Sequence, residues 1–160
     1  MPRVPASFPG GLLCDPRLPA AALTYRRTSN PQLLSLQDLG ALNVTARLYR
    51  DAEGVERIQV NPNVTIAELR KQFGPAATRD AEVGIHSEAR AAEFFRVNPR
   101  FRVLKIFSER IPCAKMCAPL LRHYFPGIPW FYYYDRRSWR GTDGELVRKA
   151  AEALTAAYQL

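Results

Sequence analysis

From Asn43 to the C-terminus the chain alternates strand-patterned with helix-patterned runs, and this alternation restricts its fold more than any other feature. Asn43-Val-Thr-Ala-Arg-Leu-Tyr-Arg50 alternates apolar and polar residues, Asp51-Ala-Glu-Gly54 has turn chemistry, and Val55 to Val60 is a second short run ending at Asn61-Pro62. Together they predict a β-hairpin. Leu33 to Leu42, just before it, suits a short helix or turn, and Thr65 to Phe73 a short helix stopped by Gly74-Pro75. His86 to Val97 carries Ala89, Ala92, Phe94 and Phe95 and ends before Asn98-Pro99, which predicts about three helical turns. Arg102 to Phe107 is a strand. Pro112 then opens a helix reaching about Tyr124, because proline is tolerated in a first turn. Trp130 to Tyr134 is an aromatic strand, Gly141 to Gly144 a loop, and Glu145 to Tyr158 a closing amphipathic helix. The order hairpin, helix, strand, helix, strand, helix argues for an α/β fold, a sheet with helices packed on it.

Residues 1–32 differ in kind. Pro2, Pro5, Pro9, Pro16, Pro19 and Pro31 interrupt them, with Gly10 and Gly11 between. Proline at this density opposes helix interiors and central strands. The expectation is a proline-rich arm or linker over 1–32 and one domain over 33–160, with an ordered strap around the domain as the alternative. The N-terminal stretch has no continuous apolar segment after Arg3, so no signal peptide is expected. No apolar run approaches the ~20 residues of a membrane helix, so no membrane partner is expected.

The formal net charge is +8 and the pI about 9.8. Such a surface favours a polyanion, most commonly nucleic acid. Three cysteines, Cys14, Cys113 and Cys117, do not suggest a disulfide framework.

Two short motifs carry chemistry. His86-Ser87-Glu88 opens one predicted helix, Pro112-Cys113-Ala-Lys-Met-Cys117 opens the next, and a strand separates them. One imidazole and two thiolates suit zinc, whose catalytic sites offer three protein ligands and an open water position. Cys113 and Cys117 are four apart and share a helical face. The helix N-terminus stabilises thiolates there. Glu88, two residues from His86, is suited to take a proton from a metal-bound water and pass it to a leaving amine. A fourth ligand, such as Cys14, would instead close the site and make the metal structural. His123 lies six residues past Cys117 and points away. Trp139 with Arg136, Arg137 and Arg140 suits base stacking and phosphate contact, or equally an ordinary basic loop.

These motifs resemble the signature of the zinc-dependent cytidine and nucleobase deaminases, His-x-Glu followed by Pro-Cys-x-x-Cys. In particular they resemble deaminase domains of bacterial polymorphic toxins, through His86-Ser-Glu88 and Ser108-Glu-Arg-Ile-Pro-Cys113. The likeness covers about residues 40–155. Here three residues separate the cysteines where the common form has two. The resemblance implies a cytidine-deaminase-like three-layer sandwich, a mixed sheet flanked by helices. It implies Zn2+ on His86, Cys113 and Cys117, Glu88 as proton shuttle, and Asn43 at the sugar or base, or else as a strand-start asparagine satisfying a turn; Ser87, Pro112 and Trp139 are further candidates for substrate contact. The implied activity is conversion of cytosine to uracil in nucleic acid, DNA before RNA, by a delivered bacterial toxin acting in the target-cell cytoplasm, with a cognate immunity protein. A free cytidine or nucleotide deaminase, and a non-catalytic zinc module binding nucleic acid, are the alternatives.

Overall fold

The computed structural model describes residues 2–8, 11–29, 31–62, 91, 94–111 and 117–160. In chain order the elements are β1 (Ala6–Phe8), α1 (Arg17–Ser29), α2 (Leu36–Ala41), β2 (Val44–Arg50), β3 (Glu56–Pro62), β4 (Arg102–Ser108), α3 (Cys117–Tyr124), β5 (Trp130–Tyr132) and α4 (Asp143–Tyr158). Single 3-10 turns lie at Pro31–Leu34 and Arg136–Ser138. Residues 91 and 94–96 are helical. The expected Thr65–Phe73 helix lies outside the described residues.

The five strands form one mixed sheet in the order β1-β5-β4-β2-β3. β4 and β5 run parallel, and the other neighbours are antiparallel. The hairpin forms where the turn residues predict it, with Leu48 opposite Ile58 and Arg50 opposite Glu56. Asp51 closes its turn by accepting from the Glu53 and Val55 amides at 2.9 and 3.0 Å.

Side chains alternate across β2, so the two sheet faces bury different sets. Val44, Ala46 and Leu48 pack with Phe107 and Phe131 against Leu18 and Ala22 of α1. Tyr49 packs on the other face with Ile106, Trp130, Phe95, and Leu121 and Phe125 of and just after α3. Helices therefore cover both faces of a mixed sheet. A third cluster joins Leu23 of α1, Leu39 of α2, Tyr134, and Leu154 and Tyr158 of α4. Gly40 permits the α2–α4 crossing, because a Cβ there would run into the Val147 carbonyl.

Residues 1–32, expected as an arm or linker or else as an ordered strap on the domain, contain a strand and a helix that pack on the sheet. β1 adds an edge strand to β5, and α1 buries Leu18, Ala22, Leu23 and Arg26. The prolines fall where they do little harm. Pro5 precedes an edge strand, Pro16 precedes α1, and Pro19 lies in its first turn, where amides have no intrahelical partner. Asp15 caps that turn, its carboxylate accepting from the Arg17 amide at 2.9 Å. Burying Leu18 alone is worth about 1.5–3 kcal/mol. Two boundaries also move. β5 ends at Tyr132, two residues short of the expected Tyr134. α4 starts at Asp143, where Thr142 accepts from the Glu145 amide at 3.3 Å as its N-cap.

Candidate functional site

In open α/β sheets, ligands gather outside the carboxyl ends of parallel strands. Here that end is built by Ser108-Glu109-Arg110-Ile111, which continues β4 directly towards Pro112 and Cys113. The Ile111 amide donates to the Tyr134 carbonyl at 2.9 Å, and the Tyr133 amide to the Glu109 carbonyl at 3.0 Å. The parallel pairing of β4 and β5 thus runs on past both strands.

Glu109 anchors the segment. Its Oε1 accepts from Arg26 Nη2 at 2.7 Å and from the Val44 amide at 2.8 Å. Its Oε2 accepts from Arg26 Nε at 2.9 Å and from the Tyr158 hydroxyl at 2.6 Å. Arg26 also donates to the Leu33 and Leu42 carbonyls at 2.6 and 2.8 Å. Both members of the ion pair have fully buried side chains. Burial works to lower the Arg26 pKa, but the Glu109 carboxylate holds it above the ordinary value. Burial pushes the Tyr158 phenol well up, with the adjacent Glu109 charge adding to it. The cluster is a filled clamp between α1, β2, β4 and α4. Its chemistry is structural: a bidentate pair whose remaining positions are satisfied.

Asn43 sits on the other side of the same segment and is 2% exposed. Its Nδ2 donates to Ser108 Oγ at 3.0 Å, and its Oδ1 accepts from the Arg110 amide at 3.0 Å. A polar strip runs from it along β2. Arg47, fully buried, donates to Gln59 Oε1 at 3.2 Å, to Asn61 Oδ1 at 3.1 Å and to Thr45 Oγ1. By strand alternation Asn43, Thr45 and Arg47 share the face of Tyr49, the face covered by α3.

Trp139 stacks on Tyr134, ring centroids 5.3 Å apart and planes 7° apart. Through Tyr134, which bridges Arg110, it adjoins the same segment. Burial pushes the Tyr134 phenol up to about 12, with Arg110 opposing and Glu109 adding. Of the neighbouring arginines, Arg137 is held by Asp135 at 2.9 Å. Arg136 and Arg140 have no acidic partner among the described residues.

The expected ligands and acid–base group fare differently. His86, Ser87, Glu88, Pro112 and Cys113 lie outside the described residues. Cys117 is the first described residue of α3, which packs on the Tyr49 face of the sheet. The donor set of one imidazole and two thiolates fits a zinc ion chemically. Among the described residues, no group of three His, Cys, Asp or Glu is arranged to hold a metal. Cys14 packs against the cluster of Leu18 and Phe107 on the α1 face, with the sheet between it and α3. Burial, with Asp15 adding and Lys105 opposing, pushes its thiol up to about 12, so the thiol stays protonated at neutral pH. His123 lies exposed in the last turn of α3.

The sequence patterns missed Glu109, Arg26, Tyr158 and Arg47. Arg26 belongs to the stretch expected as an arm. Glu109 stands inside the Ser-Glu-Arg-Ile-Pro-Cys run, where it had no assigned role. A charged residue flanked by buried strand positions was the one available signal.

No protein-family model matches the chain, and neither a curated protein nor a solved structure matches it.

Proposed function

We propose that this chain is a zinc-dependent hydrolytic deaminase of cytosine in nucleic acid, DNA before RNA, on a cytidine-deaminase-like α/β sandwich. The observation that carries the reading is the frame at the carboxyl end of β4. There the segment leading to Pro112-Cys113 is clamped by Glu109 and Asn43, and Cys117 lies in the helix that follows. Ligands arranged on strand ends and helix starts are held on rigid elements, as a catalytic metal requires.

His86, Cys113 and Cys117 would hold the metal. Bound there, zinc would bring the pKa of a coordinated water towards ~7. Glu88 would take a proton from the attacking water, deliver it to the cytosine ring nitrogen and then assist departure of ammonia. Water and cytosine thereby give uracil and ammonia, with no oxidant or reductant. Ser87, Pro112, Asn43 and Trp139 line the base pocket in this reading. The Asn43 amide, fixed to Ser108 and Arg110, also keeps the strand end in register. The basic surface favours a polymer over a free nucleoside.

The test uses purified wild type and Glu88→Ala, incubated with single- and double-stranded DNA and sequenced for cytosine-to-uracil change. Conversion by the wild type alone is expected, with one zinc retained per chain in both proteins. Equal conversion by the variant removes Glu88 from the mechanism. No conversion of DNA, RNA or free cytidine, with zinc still bound, removes the deaminase reading. In the proposed toxin role, expression in bacteria is harmful and Glu88→Ala relieves it.

A further inference from the structure

A cleft of about 320 Å³ opens at the amino end of β4, the end opposite Ser108–Ile111. Its floor is aromatic. Phe95 meets Phe125 edge-on at 5.5 Å, and Phe101 stacks on Tyr49 at 5.2 Å. Its rim carries Arg96, Arg102 and Tyr124, the last 42% exposed in the final turn of α3. No acidic side chain lines it among the described residues.

At Arg102 this cleft meets like charge. Arg102 stands directly opposite Arg50 across the β2–β4 ladder. Like charges so placed are destabilising. Arg50 reaches Glu56 only at 3.8 Å. Arg100 and Arg102 have no acidic partner among the described residues. An anion at the rim would relieve that repulsion. An open aromatic floor with an exposed ring and arginines beside it suits a base and its phosphate together.

We propose that this cleft is a second nucleic-acid subsite, holding one nucleotide of a single strand by stacking on Tyr124 and by phosphate contact with Arg102. The seven residues of β4 span ~23 Å at ~3.3 Å per residue. The subsite therefore takes a nucleotide several positions from any base engaged at the carboxyl end. Its occupancy lengthens the footprint and raises affinity for polymer over short fragments.

The inference rests on the nucleic-acid partner of the proposed function and not on its chemistry. Fluorescence anisotropy with a labelled single strand of roughly fifteen nucleotides measures it without turnover. Tyr124→Ala is expected to weaken binding about tenfold. Arg102→Gln is expected to reduce the slope of log K against log salt by about 0.7. Both side chains are exposed, so Tyr124→Ala should melt like the wild type and Arg102→Gln no lower, since it removes the repulsion from Arg50. Affinities within twofold of wild type in both variants overturn the subsite. So does an equal loss of affinity for polyglutamate, which would mark the cleft as a surface for acidic protein. Absent cytosine conversion with these binding losses intact would sink the deaminase reading and leave the subsite standing.

Discussion

Glu109→Ala is expected to cost the fold more than any other change at the strand end. The carboxylate accepts four hydrogen bonds, two from Arg26 and one each from the Val44 amide and Tyr158 hydroxyl, between 2.6 and 2.9 Å. Removing it leaves Arg26 charged and out of water, with its Leu33 and Leu42 carbonyl contacts as partial compensation. Breaking a buried pair from one side costs about 3–5 kcal/mol. That is a large share of the ~5–15 kcal/mol by which a domain is usually stable. At roughly 2–4 °C per kcal/mol for a chain of this size, Tm should fall by about 6–20 °C. Tyr158→Phe removes one bond to a charged acceptor and should cost about 1.5–3 kcal/mol. The pair Arg26→Met with Glu109→Leu should be less damaging than the sum of its single changes by about 1–3 kcal/mol, since neither charge is then stranded. Urea denaturation followed by circular dichroism measures the wild type, Glu109→Ala, Tyr158→Phe, the double variant and its two single changes. A Glu109→Ala protein within about 1 kcal/mol of wild type, or strict additivity in the double variant, would refute a charge-based clamp.

Other predictions follow from single contacts. Gly40→Ala should destabilise by about 1–3 kcal/mol or more, because the added methyl meets the Val147 carbonyl where α2 crosses α4; a denaturation midpoint equal to wild type would show that the crossing relaxes freely. Stability should also fall at alkaline pH. The Tyr134 phenol moves from 10.0 to about 12, and the Cys14 thiol from 9.0 to about 12, both chiefly through burial. Below those ordinary values both groups are neutral in either state and their contribution is complete. Above them the unfolded chain releases protons that the folded chain keeps, so stability drops as pH rises towards 12. A flat stability profile over that range would count against it. For the same reason, alkylation mapped to Cys14 should be at least tenfold slower in the folded protein than in urea at mildly alkaline pH; equal rates would contradict its burial.

What the sequence by itself determined is local. The hairpin around Asp51–Gly54 and the strand at Arg102–Ser108 are legible because alternation and turn chemistry act over a few residues. The stop at Gly127 is legible too, since its φ of 76° is one that other residues rarely adopt. The strap-like helix α1 was hidden because proline count spoke louder than proline position. Pro16 and Pro19 sit at a helix start, where a missing amide proton matters little. The motif His86-Ser-Glu88 with Pro112-Cys113 and Cys117 names a chemistry by residue type and order. The surroundings of its strand end came only from tertiary structure. Arg26 and Glu109 are 83 positions apart, and their pairing depends on α1 docking on the sheet. Arg47 looks like a solvated residue of an alternating strand, yet Gln59 and Asn61 of β3 and Thr45 of β2 surround its guanidinium with amide and hydroxyl oxygens. Whether a charge can be buried is decided by the partners that long-range packing brings to it, and no local pattern encodes those partners.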